Sequence, residues 1–128
     1  MRAKHFYFDI DRNRIDSSIN RLDAISMKLE IASSQLEALG NPTRLNIYRL
    51  LVRAGEAGLS VGQVQTRLGI PGSTLSHHCK RLCETGLVTQ ERHGTTLICR
   101  ADYVRMNALI GYLADECCAD ATCAPSTR

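Results

Sequence analysis

The chain has 128 residues, 44% hydrophobic and 23% charged, with a formal net charge of +3. This size fits one domain of ordinary globular composition, with a core small enough for a second copy to help stabilise it. So mild a charge neither establishes nor excludes a polyanionic partner, and the placement of the basic residues has to decide. No apolar stretch approaches the roughly 20 residues of a membrane helix. The opening MRAKHFYFDIDRNRIDSS is too polar after Phe8 to serve as a signal peptide. The expectation is a cytoplasmic protein whose six cysteines stay reduced, available for metal binding or chemical sensing more than for disulfides.

Residues 1–17 show little apolar periodicity and read as a disordered N-terminal extension, with Met27 as an internal start for a shorter product. Across residues 16–39, Leu22, Ile25, Leu29, Ala32, Leu36 and Leu39 recur at spacings of three and four. That predicts a helix with one narrow apolar seam. Gly40 is expected to end it in a left-handed cap. Asn41 then caps a second helix with Pro42 in its first turn. Leu45, Ile47, Tyr48, Leu50, Leu51 and Val52 cover most of its circumference, which makes it central.

Gly55 and Gly58 frame a loop, and Ser60 with Gln63 forms a capping box for a short third helix that stops at Gly69. After Pro71-Gly72, Ser73 is expected to cap a fourth helix running to Thr85 and stopped by Gly86. Leu87-Val88-Thr89 and Thr96-Leu97-Ile98, on either side of His93-Gly94, predict a β-hairpin. A last helix begins near Asp102, with Val104, Met106, Leu109, Ile110, Leu113 and Cys117 on one face. Residues 119–128 read as a flexible tail carrying one cysteine.

Helix, tight turn, helix and hairpin is the layout of a winged helix-turn-helix, mostly α with a small β-hairpin, and the reading assigns it residues 18–118. In the fourth helix Leu75, Cys79 and Leu82 face inward at i, i+4 and i+7. Ser73, Thr74, Ser76, His77, Lys80 and Arg81 lie elsewhere on it, and Arg92 and His93 sit at the hairpin tip. Small hydroxyl, imidazole and basic side chains near a helix N-terminus suit the major groove of double-stranded DNA. In residues 71–100, Lys80, Arg81, Arg92 and Arg100 outnumber Glu84 and Glu91. The plainer alternative is a solvated helix beside an ordinary hairpin, and the order and spacing of the elements favour the DNA reader. Ser76, His77 and the carboxylates form no acid/base pair, and no phosphate loop is present, so an enzyme is not expected.

Three strings, LEALGNPTRL (residues 36–45), STLSHHCKRL (73–82) and GLV (86–88), are similar to those of the ArsR/SmtB family of metal-responsive repressors. The likeness spans residues 36–118. It implies a homodimer joined by the first and last helices, two recognition helices on a dyad-symmetric DNA operator, and release of DNA when an inducer binds. The apolar seams fit such an interface through Leu22, Ile25 and Leu29 at one end and Leu109, Ile110 and Leu113 at the other. The alternative is that both seams pack inside one protomer.

Residues 116–123, ECCADATC, hold three thiols. Neighbours on a helix point about 100° apart, so Cys117 and Cys118 converge only if the helix frays there, with Cys123 folding back across four residues. Three thiolates make a soft site that suits trivalent arsenic or antimony. Zinc or cadmium is the competitor, with Asp115, Glu116 or Asp120 as fourth ligand. Thiol oxidation to a disulfide or polysulfide and an unligated tail are the other readings. Cys79 and Cys99 read as small buried hydrophobes, while Cys79 and Cys83, four residues apart, could meet on one helix face.

The resemblance narrows these choices. Well-known arsenic sensors of the family carry a Cys-x-Cys pair before the recognition helix, where this chain has LSVGQVQ and no cysteine. The last helix also lacks the Asp/His and His/Glu pattern of zinc sensors. Other arsenic-responsive relatives place a Cys-Cys pair and a third cysteine near the end of that helix, which implies Cys117, Cys118 and Cys123 as the ligands here.

Overall fold

The computed structural model describes residues 27–121. Helix α1 spans Leu29–Leu39 and α2 spans Pro42–Ala54; a 3-10 turn at Gly55–Ala57 leads to strand β1, Leu59–Ser60. Helices α3 (Val61–Leu68) and α4 (Gly72–Glu84) follow, then strands β2 (Val88–His93) and β3 (Thr96–Ala101), and helix α5 (Tyr103–Ala114). The sheet is antiparallel with β3 in the centre, paired to β1 and β2.

Local chemistry explains most boundaries. Asn41 Oδ1 accepts the Arg44 N–H at the start of α2 with Pro42 in the first turn. Ser60 and Gln63 form the reciprocal capping box on α3, and Asp102 accepts the Arg105 N–H to open α5. The core joins Ile47 and Leu51 of α2, Val64 of α3, Leu75, Cys79 and Leu82 of α4, and Leu87, Val88 and Cys99 around the hairpin. The fourth helix therefore shows one face to the core and another to solvent.

Several expectations change. Lys28 is extended (φ −120°, ψ 161°), so α1 begins at Leu29 and the long helix expected across residues 16–39 is interrupted there. Gly40 has φ −77°, so α1 stops without a left-handed cap. The inward residues of α1 are Ala32, Gln35 and Ala38, small or polar, while Leu29, Ile31 and Leu36 face outward. Ser73 does not cap α4; Pro71 holds the N-cap position with no side-chain bond, and the helix starts at Gly72. Strand β1 was not anticipated because two residues carry no periodicity, and the hairpin strands extend to the loop residues Gly94-Thr95.

The last helix divides its apolar residues. Tyr103, Ala108 and Leu109 are buried within the chain, whereas Val104, Ile110, Tyr112 and Leu113 are exposed. Leu109, expected at the subunit interface, thus has little surface left for a partner. Leu22 and Ile25, and the extension 1–17, lie outside the described residues.

Gly58 is the tightest backbone approach. Its φ is +70°, and an added Cβ would lie 2.5 Å from the Cys99 carbonyl oxygen and 2.7 Å from Arg100 Cγ. Gly94, φ +68° in the hairpin loop, has no such neighbour. Gly58→Ala is expected to cost about 2 kcal/mol or more in urea unfolding and Gly94→Ala about 1 kcal/mol; equal losses would contradict the close approach.

Candidate nucleic-acid interface and thiol sites

At 100° per residue, Leu75, Cys79 and Leu82 define the inward arc of α4, and Ser73, Ser76, His77 and Lys80 cluster on the opposite arc. Those four are exposed and Thr74 is half-buried. No side chain closes the N-terminus of α4, so its first-turn N–H groups point along the same open end. Arg92 and His93 are exposed at the tip of the wing formed by β2 and β3. The fold therefore groups the helical candidates on one surface and puts the remaining two on the hairpin.

Arg81 is engaged elsewhere. Its Nη2 lies 2.6 Å from Glu37 Oε1 on α1, and its Nη1 lies 3.6 Å from Glu84. It ties the recognition helix to α1. Two further links run alongside. Buried Gln35 on α1 donates from Nε2 to the Thr85 carbonyl at the end of α4, 3.0 Å. Arg44 donates from Nε to the Ala38 carbonyl and has Nη1 3.5 Å from His78 Nδ1 on α4. The sequence reading missed these links; it ran the seam through Ala32 and Leu36, whereas Ala32, Gln35 and Ala38 are the residues that face inward.

On the wing, Glu91 lies between Arg100 Nη1 (2.7 Å) and His93 Nε2 (3.3 Å). Hydrogen bonds from Arg100 and then His93 hold its carboxyl below the usual range. His93 therefore has an intramolecular partner in addition to its exposed position.

The thiols form two groups. Helix α5 ends at Ala114, and turns carry the chain through Cys117 and Cys118, both exposed. Cys118 has φ +61°, and the two Sγ atoms lie 3.8 Å apart. A regular helix would have turned these neighbours away from each other, so the loss of helix brings them together. Cys123 lies outside the described residues, and among the described residues no three His, Cys, Asp or Glu side chains form a metal-ready cluster.

The second group lies under the junction of α4 and the hairpin. Cys79 and Cys99 are buried in the core, and Cys83 is half-buried one turn along α4 from Cys79. Burial pushes the Cys83 thiol up to about 11. An open groove of about 720 Å³ passes over this junction, lined in part by Ser76, Cys79, Lys80, Cys83, Gln90 and Leu97.

A helix-turn-helix domain model matches residues 39–91, from the end of α1 into β2. A Halobacterium salinarum protein named "Putative arsenical resistance operon repressor ArsR" is 39% identical over 83 residues, which is 63% of each chain. The match thus spans just under two thirds of that relative's length. The solved homodimeric winged helix-turn-helix DNA-binding domain from Mycobacterium bovis, described as a possible ArsR-family regulator, is 30% identical. That match covers 75% of this chain and 89% of the other, with a TM-score of 0.55. The chain belongs to the ArsR family of winged helix-turn-helix DNA-binding regulators. The transcriptional repressor BigR from Xylella fastidiosa is similar too, at 29% identity over 72% of this chain and 86% of its own, with a TM-score of 0.53.

In this ArsR-family chain the link from Arg44 gives a pH test. His78 is held below the usual histidine value by partial burial, then by Arg44, then by His77. Below about pH 6.5 the unfolded chain takes up a proton at this position that the folded chain resists. Stability from this group is therefore full above that value and falls as the pH drops. The thermal midpoint is expected to decline on going from about pH 7 to about pH 5. His78→Gln is expected to flatten that decline; an unchanged slope in the variant would contradict the assignment.

Proposed function

We propose that this chain is a homodimeric repressor that binds a dyad-symmetric DNA operator and releases it when trivalent arsenic or antimony is held by Cys117, Cys118 and Cys123. The observation that carries the inducer reading is the left-handed turn that sets two exposed sulfurs 3.8 Å apart at the end of α5. Thiolate donors select thiophilic ions over hard ones, and Cys123, five residues on, is the third donor. The likeness to an arsenical resistance repressor supports the same chemistry.

The DNA reading rests on the exposed arc of α4. Ser73, Thr74, Ser76 and His77 meet base edges, while Lys80, the first-turn N–H groups and Arg92 meet phosphates. His93 approaches the backbone beside Arg92. Arg81 acts as a strut to α1 through Glu37, and its contribution to DNA binding comes from holding α4 in place.

The dimer reading rests on exposed apolar side chains concentrated on α1 and α5. Leu29 is 67% exposed, Leu113 60% and Ile110 45%. Covering them against a second copy stabilises association at about 25 cal/mol per Å², and Leu22 and Ile25 would extend the same seam. An inducer at the end of α5 then acts on the helices that join the subunits. Because α1 is bonded to α4, a shift there moves the reading helices.

Two outcomes are expected with a duplex selected by the protein from random sequence. Arsenite should weaken operator binding about 5- to 150-fold in the wild type and leave a variant with Cys117, Cys118 and Cys123 changed to Ser unaffected, as measured by fluorescence anisotropy. Release in that variant would move the sensor elsewhere. Ser76→Ala with His77→Ala should abolish sequence preference while the dimer persists in sedimentation; retained preference would exclude α4 as the reader.

A further inference from the structure

Among the described residues, Cys117 and Cys118 are the two thiols exposed to solvent. Backbone bonds hold the chain on either side of them. The Cys117 N–H donates to the Ala114 carbonyl at 3.0 Å and the Ala119 N–H to the Glu116 carbonyl at 2.9 Å. Between these bonds Cys118 turns the chain left-handed, φ +61°, a conformation uncommon for a residue other than glycine. The Cys117 thiol then donates to Cys118 Sγ at 3.8 Å. Asp115, Glu116 and Asp120 are exposed around the pair, and three carboxylates repel an anionic reagent while leaving a small neutral one free to approach.

We propose that Cys117 and Cys118 form an oxidation site for a small uncharged hydroperoxide, closing a disulfide between neighbouring residues that shuts the metalloid site. The two sulfurs meet both needs of such a reaction, contact with each other and access from solvent. The consequence for the metalloid rests on the inducer reading given above, whereas the bond itself does not.

In the first step the sulfur of one cysteine bonds to the terminal peroxide oxygen and the O–O bond breaks. The thiol proton goes to the departing oxygen, leaving a sulfenic acid and one water or alcohol. In the second step the neighbouring sulfur attacks the sulfenic sulfur, and its proton leaves with the hydroxyl group as water. The two sulfurs lose the two electrons that the peroxide gains, so no other reductant is needed.

Neighbouring Cα atoms lie about 3.8 Å apart across a trans peptide, below the usual disulfide range of about 4.4–6.8 Å. The bond is therefore strained and readily reduced by small thiols, which makes the change reversible. While it lasts, two of the three sulfurs proposed to gather arsenic or antimony are tied to each other. An oxidised chain thus keeps its operator in the presence of the inducer.

The test uses two full-length proteins, the wild type and Cys123→Ser, each treated with hydrogen peroxide that is then removed with catalase. After unfolding, alkylation and trypsin digestion without reductant, the variant's peptide 106–128 carries no cysteines besides Cys117 and Cys118. That peptide is expected to be unalkylated and lighter by two hydrogens, and to take up two alkyl groups after dithiothreitol. Two alkylated cysteines, a bond to a second chain or to Cys79, Cys83 or Cys99, or sulfinic acid as the main product would each overturn the proposal. In the wild type, native mass spectrometry with arsenite reads the consequence. The reduced chain is expected to hold one arsenic and the oxidised chain none, with binding restored after reduction by a phosphine. Equal binding by both forms would overturn the closure of the site. A reduced chain that takes up no arsenic would sink the inducer reading and the metalloid consequence together, whereas the peptide decides the bond by itself.

Discussion

The hydrogen bond from the Gln35 amide to the Thr85 carbonyl, 3.0 Å and buried, fixes the end of the recognition helix against α1. Thr85 in turn donates from its hydroxyl to Leu82, so the last turn of α4 is held from inside and outside the helix. The salt bridge Glu37–Arg81 repeats the α1–α4 link nearer solvent, where an ion pair contributes only about 0–1 kcal/mol. The buried bond is the stronger constraint, because losing a partner for a desolvated carbonyl costs about 1–3 kcal/mol. Through it the reading face of α4 takes its orientation from the helix that carries the exposed apolar side chains Leu29, Ile31 and Leu36.

That arrangement gives the thiols their leverage. Cys117 and Cys118 follow α5, whose outer face carries Ile110 and Leu113, and α5 touches α1 within the same protomer. On the proposed reading, an ion gathered at the end of α5 would act beside the exposed Ile110 and Leu113, and the bonds between α1 and α4 would carry the change to α4.

Much of this was legible in the sequence because it depends on local signals. The Asn41 and Asp102 caps, the Ser60–Gln63 box and the i, i+4, i+7 face of α4 each lie within a few residues. What escaped depends on distant partners. Gln35 lies off the seam read through Ala32 and Leu36, and its burial is explained only when Thr85, fifty residues on, supplies its acceptor. Arg81 reads as a phosphate contact until α1 brings Glu37 to it. Leu109 and Ile110 read as one face, and only packing assigns the first to the core and the second to the surface. The convergence of Cys117 and Cys118 was legible as a condition, that the helix must end, and α5 ends at Ala114.

On the proposed reading, the bond from Gln35 carries a change at the subunit-joining helices to the DNA-reading helix. The most direct measurement compares arsenite-driven operator release in the wild type and in Gln35→Leu, which removes the amide at similar volume, with arsenite binding followed separately by mass spectrometry. Both proteins should bind the metalloid, and Gln35→Leu should keep its operator at arsenite concentrations that empty the wild type. Equal release from both would show that the signal reaches α4 by another route.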